Sequence, residues 1–436
     1  MPSVRIKMPG KIKNFEDLAL GKTRKTALEI IEAGLEAIDT EKVIRENIHL
    51  DGVHLFVKDE VVSLKETNRI FVIGVGKCSL DAGKAIEGIL GDLISGGIII
   101  DVRKGELRRI KTLSGTHPYP SRVNIEATNK IIEMLRGLKE NDLVIFLISG
   151  GGSTFLCQPN NFTCEEEAAF LRCLLEVAVD IKEINIVRKH LSSARGGYLA
   201  KYAYPAKIIS LIFSDVVGDD LGFIASGPTV KDTTTVAHAV EIMDKYNVRS
   251  RSGLPPSSLI ETPKENKYFE KVRNILLVNN KVALEAMARK GKEFGFSTKV
   301  VTTELVGEAR EVGAKIAEEI GNAGNKTALL YGGETTVTLK GKGRGGRNQE
   351  LVLSALRSIG EKQLIVSVAS DGRDNTDFAG AIADAFTKEK IREKKLDIDK
   401  YLSDNDSYGF FKKAGDYVLT GETGSNVSDL IVAIKE

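Results

Sequence analysis

Short runs of β-branched and other apolar residues alternate along this chain with longer stretches whose apolar positions recur at helical spacing. That rhythm predicts an α/β fold. Strands are expected at 69–73, 97–102, 143–148 and 207–213, with helices at 26–38, 79–90, 122–135 and 165–179. Because the strand segments are apolar at nearly every position, they read as members of a parallel sheet buried on both faces. A second series follows, with strands at 274–278, 298–302, 328–331, 335–339, 364–369 and 430–434, and helices at 283–294, 308–320 and 351–356. Between the two series, 249–266 carries Gly253, Pro255, Pro256 and Pro263 among serines and charges, which predicts an exposed loop. The expectation is two domains: a Rossmann-like, mostly parallel three-layer sheet over 1–232, and a smaller C-terminal α/β domain over 233–436. The active site is expected in the cleft between them.

Length agrees with this division, since 436 residues exceed what one hydrophobic core usually supports. The 62 Lys and Arg nearly balance the 60 Asp and Glu, leaving a net charge of +2 spread along the chain, which argues against a nucleic-acid surface. Cys78, Cys157, Cys164 and Cys173 contain no C-x-x-C pair and are too few for a disulfide framework, so buried thiols in a reducing compartment are expected. No apolar run approaches the ~20 residues of a membrane span, and 1–13 lacks the apolar core of an export signal. The expectation is a soluble cytoplasmic protein acting on small molecules, without nucleic-acid or membrane partners. A homodimer is compatible with it.

Polar, glycine-rich segments follow several of the strands, and these carry the candidate chemistry. Ser149, Gly150, Gly151, Gly152 and Ser153 come directly after the apolar run 143–148, in outline a loop of bare amides suited to phosphate. Gly76 and Lys77 sit between a strand and a helix, where a lysine can neutralise a transferring phosphoryl group. The segment is not a Walker A loop, because Phe71 replaces its first glycine and Cys78 its Ser or Thr. A tight turn with a solvated lysine is the structural alternative. The third such segment, 341–347, satisfies G-x-G-x-x-G with Gly341, Gly343 and Gly346 and ends on Arg347, which can stabilise charge on a phosphoryl group in flight. Three loops of this kind point to a polyphosphate. Gly333 and Glu334, in the turn before 335–339, are further nucleotide candidates.

Carboxylates stand at two strand ends. Asp215, Asp219 and Asp220 follow 207–213 and suit a divalent cation, with helix capping or turn formation as the alternative. Asp371, after 364–369, can accept a substrate hydroxyl proton or simply make an Asp-Gly turn with Gly372. Upstream, Asn185, Arg188, Lys189, His190 and Arg195 form a dense donor set in which Arg188, Lys189 or Arg195 can bind a substrate carboxylate; Asn348 is a further substrate candidate. His190 alone reads as well as a packed residue.

Together these segments resemble the glycerate 2-kinase family, whose C-terminal half is the MOFRL domain. The resemblance runs in order through Gly76-Lys77, 147–153, 185–197, 214–220, 224–229, Gly332-Gly333-Glu334, 343–350, Asp371-Gly372 and 426–429. It implies two α/β domains around a cleft, ATP and Mg²⁺ as cosubstrates, and phosphorylation of D-glycerate to 2-phosphoglycerate. It also implies that Lys77, Arg347 and Asp371 are the catalytic positions; Asp215 and Asp219 remain the metal candidates from their place at the strand end. The chain departs from the family's pattern at Asn375, where glycine is usual, and at Glu422, where proline is usual. The rival expectation is an NAD(P)H-dependent hydroxypyruvate reductase, in which Gly74 and Gly76 open a dinucleotide fingerprint and Asp101 binds the ribose.

Overall fold

The computed structural model describes residues 10–177, 179–248 and 258–436. Residues 249–257 of the expected loop, and 1–9 of the segment read for an export signal, lie outside the described residues. The chain forms two compact units, Thr40–Leu277 and a second made of Met1–Asp39 with Val278–Glu436. This differs from the expected division at 232/233, and the physical reasons lie within each unit.

Arg24, on the amphipathic helix Lys22–Ala37, is fully buried. Its guanidinium donates to Asp384 at 2.8 and 2.6 Å and to Asp416 at 2.8 Å. Burial alone would lower the Arg24 pKa; the two carboxylates outweigh it and hold it above its ordinary value. The early helix is thus tied by charge to residues far along the chain. On the other side of the expected boundary, the helix Val236–Lys245 buries Ala239 and Met243 against Ile184, Val187 and Leu191 of the helix Ile181–Leu191, which keeps this stretch with the first sheet.

In the unit Thr40–Leu277, an antiparallel meander of β1 (Ile48–Asp51), β2 (His54–Val57) and β3 (Glu60–Ser63) precedes the main sheet. The main sheet comprises β4 (Arg69–Val75), β5 (Ile94–Asp101), β6 (Lys111–Ser114), β7 (Asp142–Ile148), β8 (Lys207–Phe213) and β9 (Val272–Val278), in the order β6-β5-β4-β7-β8-β9. The ladders β5–β6, β4–β5, β4–β7 and β7–β8 are all parallel. Every residue of β7 is buried, as its unbroken apolar run requires. Alternate side chains of β4, β5 and β7, such as Ile73, Ile100 and Phe146, form one core with Ile131 and Leu135 of the helix Arg122–Arg136. Ile99, pointing the other way, meets Gly83 of the helix Ser79–Leu90. Helices therefore cover both faces, giving the expected three-layer arrangement. The strand expected at 274–278 to open the second series instead extends this first sheet as β9.

The other unit holds a mixed sheet of β10 (Ser297–Leu305), β11 (Thr327–Gly333), β12 (Gln363–Ala369), β13 (Gly380–Ala383), β14 (Tyr417–Val418) and β15 (Asp429–Lys435). Its order is β10-β11-β15-β12-β13-β14. Among the described residues β10–β11 is the one parallel ladder; β15 lies antiparallel between β11 and β12. The segment 335–339 expected as a strand makes a single bridge, Glu308 to Thr336, because its backbone follows the loop to Arg347 instead of a neighbouring strand.

Candidate active site

The order β6-β5-β4-β7-β8-β9 reverses direction between β4 and β7, and in open α/β sheets ligands bind at the carboxyl ends of the strands at such a switch point. Val75 pairs with Ile148, and Ile148 with Ile212, so the ends of β4, β7 and β8 lie side by side. Gly76 and Lys77, the segment Ser149 to Ser153, and Asp215 are thereby brought together in one unit by strand register alone.

The hydrogen bonds separate the loops that can hold phosphate from those that cannot. At the end of β4 the amide of Gly76 donates to Ile100 O at 3.2 Å, that of Lys77 to Gly150 O at 3.0 Å, and that of Cys78 to Ser149 Oγ at 3.3 Å. This turn therefore supplies a lysine rather than amides. Gly76 has φ +127°, and a Cβ there would lie 2.1 Å from Ser149 Oγ, so only glycine lets the two loops meet. In the next loop Ser149 donates to Val75 O at 3.0 Å, whereas the amides of Gly150, Gly151 and Ser153 have no acceptor among the described residues. Three unpaired amides beside a half-buried lysine form an anion cradle. The Cγ of Lys77 and the ring of His117 flank Gly151, each within 3.4 Å of where its Cβ would be. His117 has no strong sequence signal; it enters through the loop after β6.

A chain of side chains braces the cradle. Ser153 Oγ lies 2.8 Å from Ser226 Oγ, which donates to Asn185 Oδ1 at 2.7 Å. Ala225, Ser226 and Gly227 have φ of 51°, 59° and 57°. Two successive non-glycine residues in the left-handed region cost on the order of 1 kcal/mol each, and such strain persists where surrounding contacts fix it. Asp215 and Asp219 lie partly exposed in the loop after β8, with the Asp219 amide bonded to Val216 O at 3.1 Å. No group of three or more His, Cys, Asp or Glu able to hold a metal occurs among the described residues.

The expected substrate cations fare differently from one another. Lys189 is buried with its ammonium 3.1 Å from Asp232, and Arg195 is fully buried with Nη2 2.7 Å from Glu167. Both already have anionic partners. His190, also buried, bonds Ile260 O at 2.9 Å and Thr234 Oγ1 at 3.1 Å, and burial lowers its pKa, so it is a packed, neutral residue. Arg188 keeps donors without partners.

In the other unit, Arg347 opens the helix Arg347–Ala355. Its Nε and Nη2 bond Asp429 at 2.6 and 3.1 Å, and its Nη1 bonds Glu334 at 2.6 Å. Asp429, the first residue of β15, enters the sequence reading only within the segment 426–429 of the family resemblance. Burial raises its pKa against the pull of Arg347, and the charge of Asp371 adds to the rise. Asp374, equally buried, accepts from the amides of Asn348 and Gln349 at 3.1 and 2.9 Å, so a carboxylate already caps this helix N-terminus. Burial and then the charge of Asp429 push Asp374 up to about 6. Asn348 donates to Asp374 at 3.2 Å and accepts from Ser367, so it braces the site rather than facing a ligand. Asp371, partly exposed at the end of β12, receives the Arg373 amide at 3.0 Å.

The glycine-rich segment 341–347 is not a phosphate cradle over most of its length. Amides from Lys340 to Arg344 donate in succession to Asn405 Oδ1, Asp404 Oδ1, Asp404 O and Asp406 Oδ1. Gly341, Gly343 and Gly345 serve close packing on 404–407, where a Cβ on Gly341 or Gly343 would lie 2.3 or 2.4 Å from the nearest atom, and Gly346 packs on Asp374. Asp101, the ribose-binding candidate of the reductase reading, is 1% exposed and accepts the Leu80 and Arg103 amides at 3.0 and 3.1 Å, so its oxygens are already used.

Known proteins share both the sequence and the fold of this chain. Residues 26–258 match a domain of unknown function, DUF4147, and 327–429 match the MOFRL family. Over 434 residues the chain is 37% identical to the glycerate 2-kinase of Pyrococcus horikoshii, covering 94% of this chain and 97% of that one. A relative in Agrobacterium vitis, provisionally named a hydroxypyruvate reductase, is 38% identical over 384 residues, covering 83% of this chain and 86% of its own. The crystal structure of a glycerate kinase from Thermotoga maritima superposes with a TM-score of 0.80 at 33% identity, covering 94% of this chain and 99% of that one. With both domain types in order and full-length similarity on this scale, the chain belongs to the glycerate kinase family that carries a MOFRL domain.

Proposed function

We propose that this protein is a glycerate 2-kinase, transferring the γ-phosphoryl group of ATP to the 2-hydroxyl of D-glycerate to give 2-phosphoglycerate and ADP. The observation that carries the reading is the cradle of unpaired amides at Gly150, Gly151 and Ser153, set beside Lys77 at the switch point of a parallel sheet. Phosphoryl transfer demands positioning and charge neutralisation more than covalent help. The cradle holds phosphate oxygens, and Lys77 offsets charge on the transferring group. Arg347 is aimed by its two-point grip on Asp429 and stabilises negative charge on the phosphoryl oxygens. Asp371, the most accessible of the three acids Asp371, Asp374 and Asp429, accepts the proton of the acceptor hydroxyl.

Mg²⁺ suits the residues present, because it is commonly held by one or two carboxylates with the remaining positions filled by water and phosphate. Asp215 and Asp219 would hold it, and when bound it neutralises charge on the nucleotide phosphates. Four cysteines without disulfides are consistent with a reducing cytoplasm, and no described helix is long and apolar enough to cross a membrane.

The test is ADP release by purified protein with MgATP and D-glycerate, followed by phosphorus NMR of the product. Absence of turnover above the blank across several small hydroxy acids would end the kinase reading, and a 3-phospho product would correct its regiochemistry. The provisional name of the Agrobacterium relative motivates a second reading, reduction of hydroxypyruvate. The engaged oxygens of Asp101 weigh against it, and loss of NADH absorbance with hydroxypyruvate would favour it.

A further inference from the structure

Ten buried side-chain nitrogen and oxygen atoms lack a hydrogen-bond partner among the described residues, and six of them belong to four neighbours: Gln158, Glu167, Arg188 and Arg195. Native interiors pair nearly all such atoms, so their concentration at one place calls for a cause. Arg195 Nη2 and Glu167 Oε1 do meet as an ion pair at 2.7 Å, and Arg195 Nη1 donates to Arg188 O at 3.2 Å. Cys157 donates its thiol to the other oxygen of Glu167 at 3.3 Å. Arg188 receives nothing in return. Its Nε and Nη2, the two donors on one edge of the guanidinium, are buried and bond to no group.

Charge sharpens the point. Only Arg195 bonds the Glu167 carboxylate, which acts on Arg188 through its charge alone, and burial of the thiol raises the Cys157 pKa, so it stays neutral. Burial, with the like charge of Arg195 adding to it, pushes Arg188 down to about 10, which leaves it cationic at neutral pH. A buried cation short of an anion is costly to maintain, and an apolar side chain of similar volume would pack more favourably. The place is also informative. Asn185, one turn earlier on the same helix, joins Ser226 and Ser153 of the phosphate cradle, and Gln158 follows that loop by five residues. Lys189 and Arg195 are paired with Asp232 and Glu167, so although Arg195 also keeps an open Nε, Arg188 is the cation of this segment whose open donors come without an ion-pair partner among the described residues.

We propose that Arg188 is the specificity-determining residue for the acceptor, its Nε and Nη2 edge holding the carboxylate of a small 2-hydroxy acid beside the phosphate cradle. The buried Arg195–Glu167 pair positions it from behind. The arrangement matches the two-point geometry in which guanidinium binds carboxylate. Because the two donors are covered, a neighbouring side chain must move to admit the ligand. The assignment rests on the kinase reading for its substrate, but carboxylate binding can be measured without turnover.

The experiment compares wild type, Arg188→Gln and Arg188→Lys in the full-length protein. With Arg188→Gln the KM for D-glycerate is expected to rise about 100-fold, the KM for ATP to stay within about twofold, and the melting temperature not to fall; Arg188→Lys should recover part of the loss. In parallel, D-glycerate or L-lactate should raise the melting temperature of the wild type without ATP, glycerol should not, and Arg188→Gln should abolish the shift. An unchanged KM for D-glycerate in Arg188→Gln would overturn the proposal. So would misfolding of both variants, which would make the guanidinium part of the core, and so would equal shifts with glycerol and D-glycerate. If the wild type shows no kinase activity yet the Arg188-dependent carboxylate shift persists, the kinase reading fails and the carboxylate site stands.

Discussion

Replacing Asp429 with Asn separates what this acid does for the fold from what it does for Arg347. Asp429 grips Arg347 at 2.6 and 3.1 Å while fully buried beside Asp374. Removing one member of a buried pair commonly costs about 3–5 kcal/mol. Two features lower the cost here: Arg347 keeps Glu334 at 2.6 Å, and Asn retains an acceptor of the same shape. A third feature reverses the trend with pH. Burial, then the charge of Asp429, hold Asp374 at about 6 against an ordinary 3.8, so ionising it in the folded protein costs about 3 kcal/mol. Asp429 is raised as well, again chiefly by burial. A carboxyl whose folded pKa exceeds its unfolded pKa binds its proton more tightly in the native state, so stability falls as pH rises from the unfolded value through the folded one. The wild type therefore loses stability between roughly pH 4 and pH 7, and the variant, lacking one acid and relieving the other, loses less. In urea unfolding, the stability of Asp429→Asn relative to wild type should improve by about 1 kcal/mol from pH 5 to pH 7.5. Over the same range kcat should lie about 10- to 100-fold below wild type, because the guanidinium has lost its fixed direction. A relative stability that worsens as pH rises, or an unchanged kcat, refutes this account.

Lys77→Ala should lower kcat about 10²- to 10³-fold in the ADP-release assay while circular dichroism and the melting temperature stay near wild type, since the side chain is only half-buried. Gly76→Ala places a methyl 2.1 Å from Ser149 Oγ at φ +127°, so a loss of about 2–4 kcal/mol in urea unfolding is expected, with ATP binding weakened in titration calorimetry. Arg24→Met leaves Asp384 without its guanidinium and Asp416 with Lys390 alone, and should cost about 3–5 kcal/mol, read as a lower thermal midpoint.

The parallel sheet was legible because burial on both faces leaves an unbroken apolar run, as in β7, and because the amphipathic period of the helix Ser79–Leu90 coincides with its observed bounds. The cradle at 149–153 was legible for the same reason: a loop directly after a buried strand must lie at the carboxyl end of the sheet. What composition could not show is which amides are already taken. Glycine at 341, 343 and 346 looks the same whether it faces phosphate or, as here, Asp404 and Asp406 for the first two and Asp374 for the third, and only the tertiary partner distinguishes the cases. Asp429 escaped notice as a functional residue because its role depends on Arg347, far away in sequence. The split of Arg188, Lys189 and Arg195 into one unpartnered and two paired cations depends likewise on Asp232 and Glu167. The second unit was partly misread because β9, a short apolar run like its neighbours, carries no mark of which sheet it joins.

The ion pairs of Arg24 span 360 residues to Asp384 and 392 to Asp416. During synthesis, the helix that carries Arg24 leaves the ribosome long before its anionic partners exist, whereas Thr40–Leu277 has its strands available much earlier. A recombinant fragment beginning at 233 would strand Asp384 and Asp416 in an interior shaped for a guanidinium. Isolating the MOFRL-containing unit therefore calls for a spliced polypeptide in which 10–39 is linked to 278–436, not for a simple truncation.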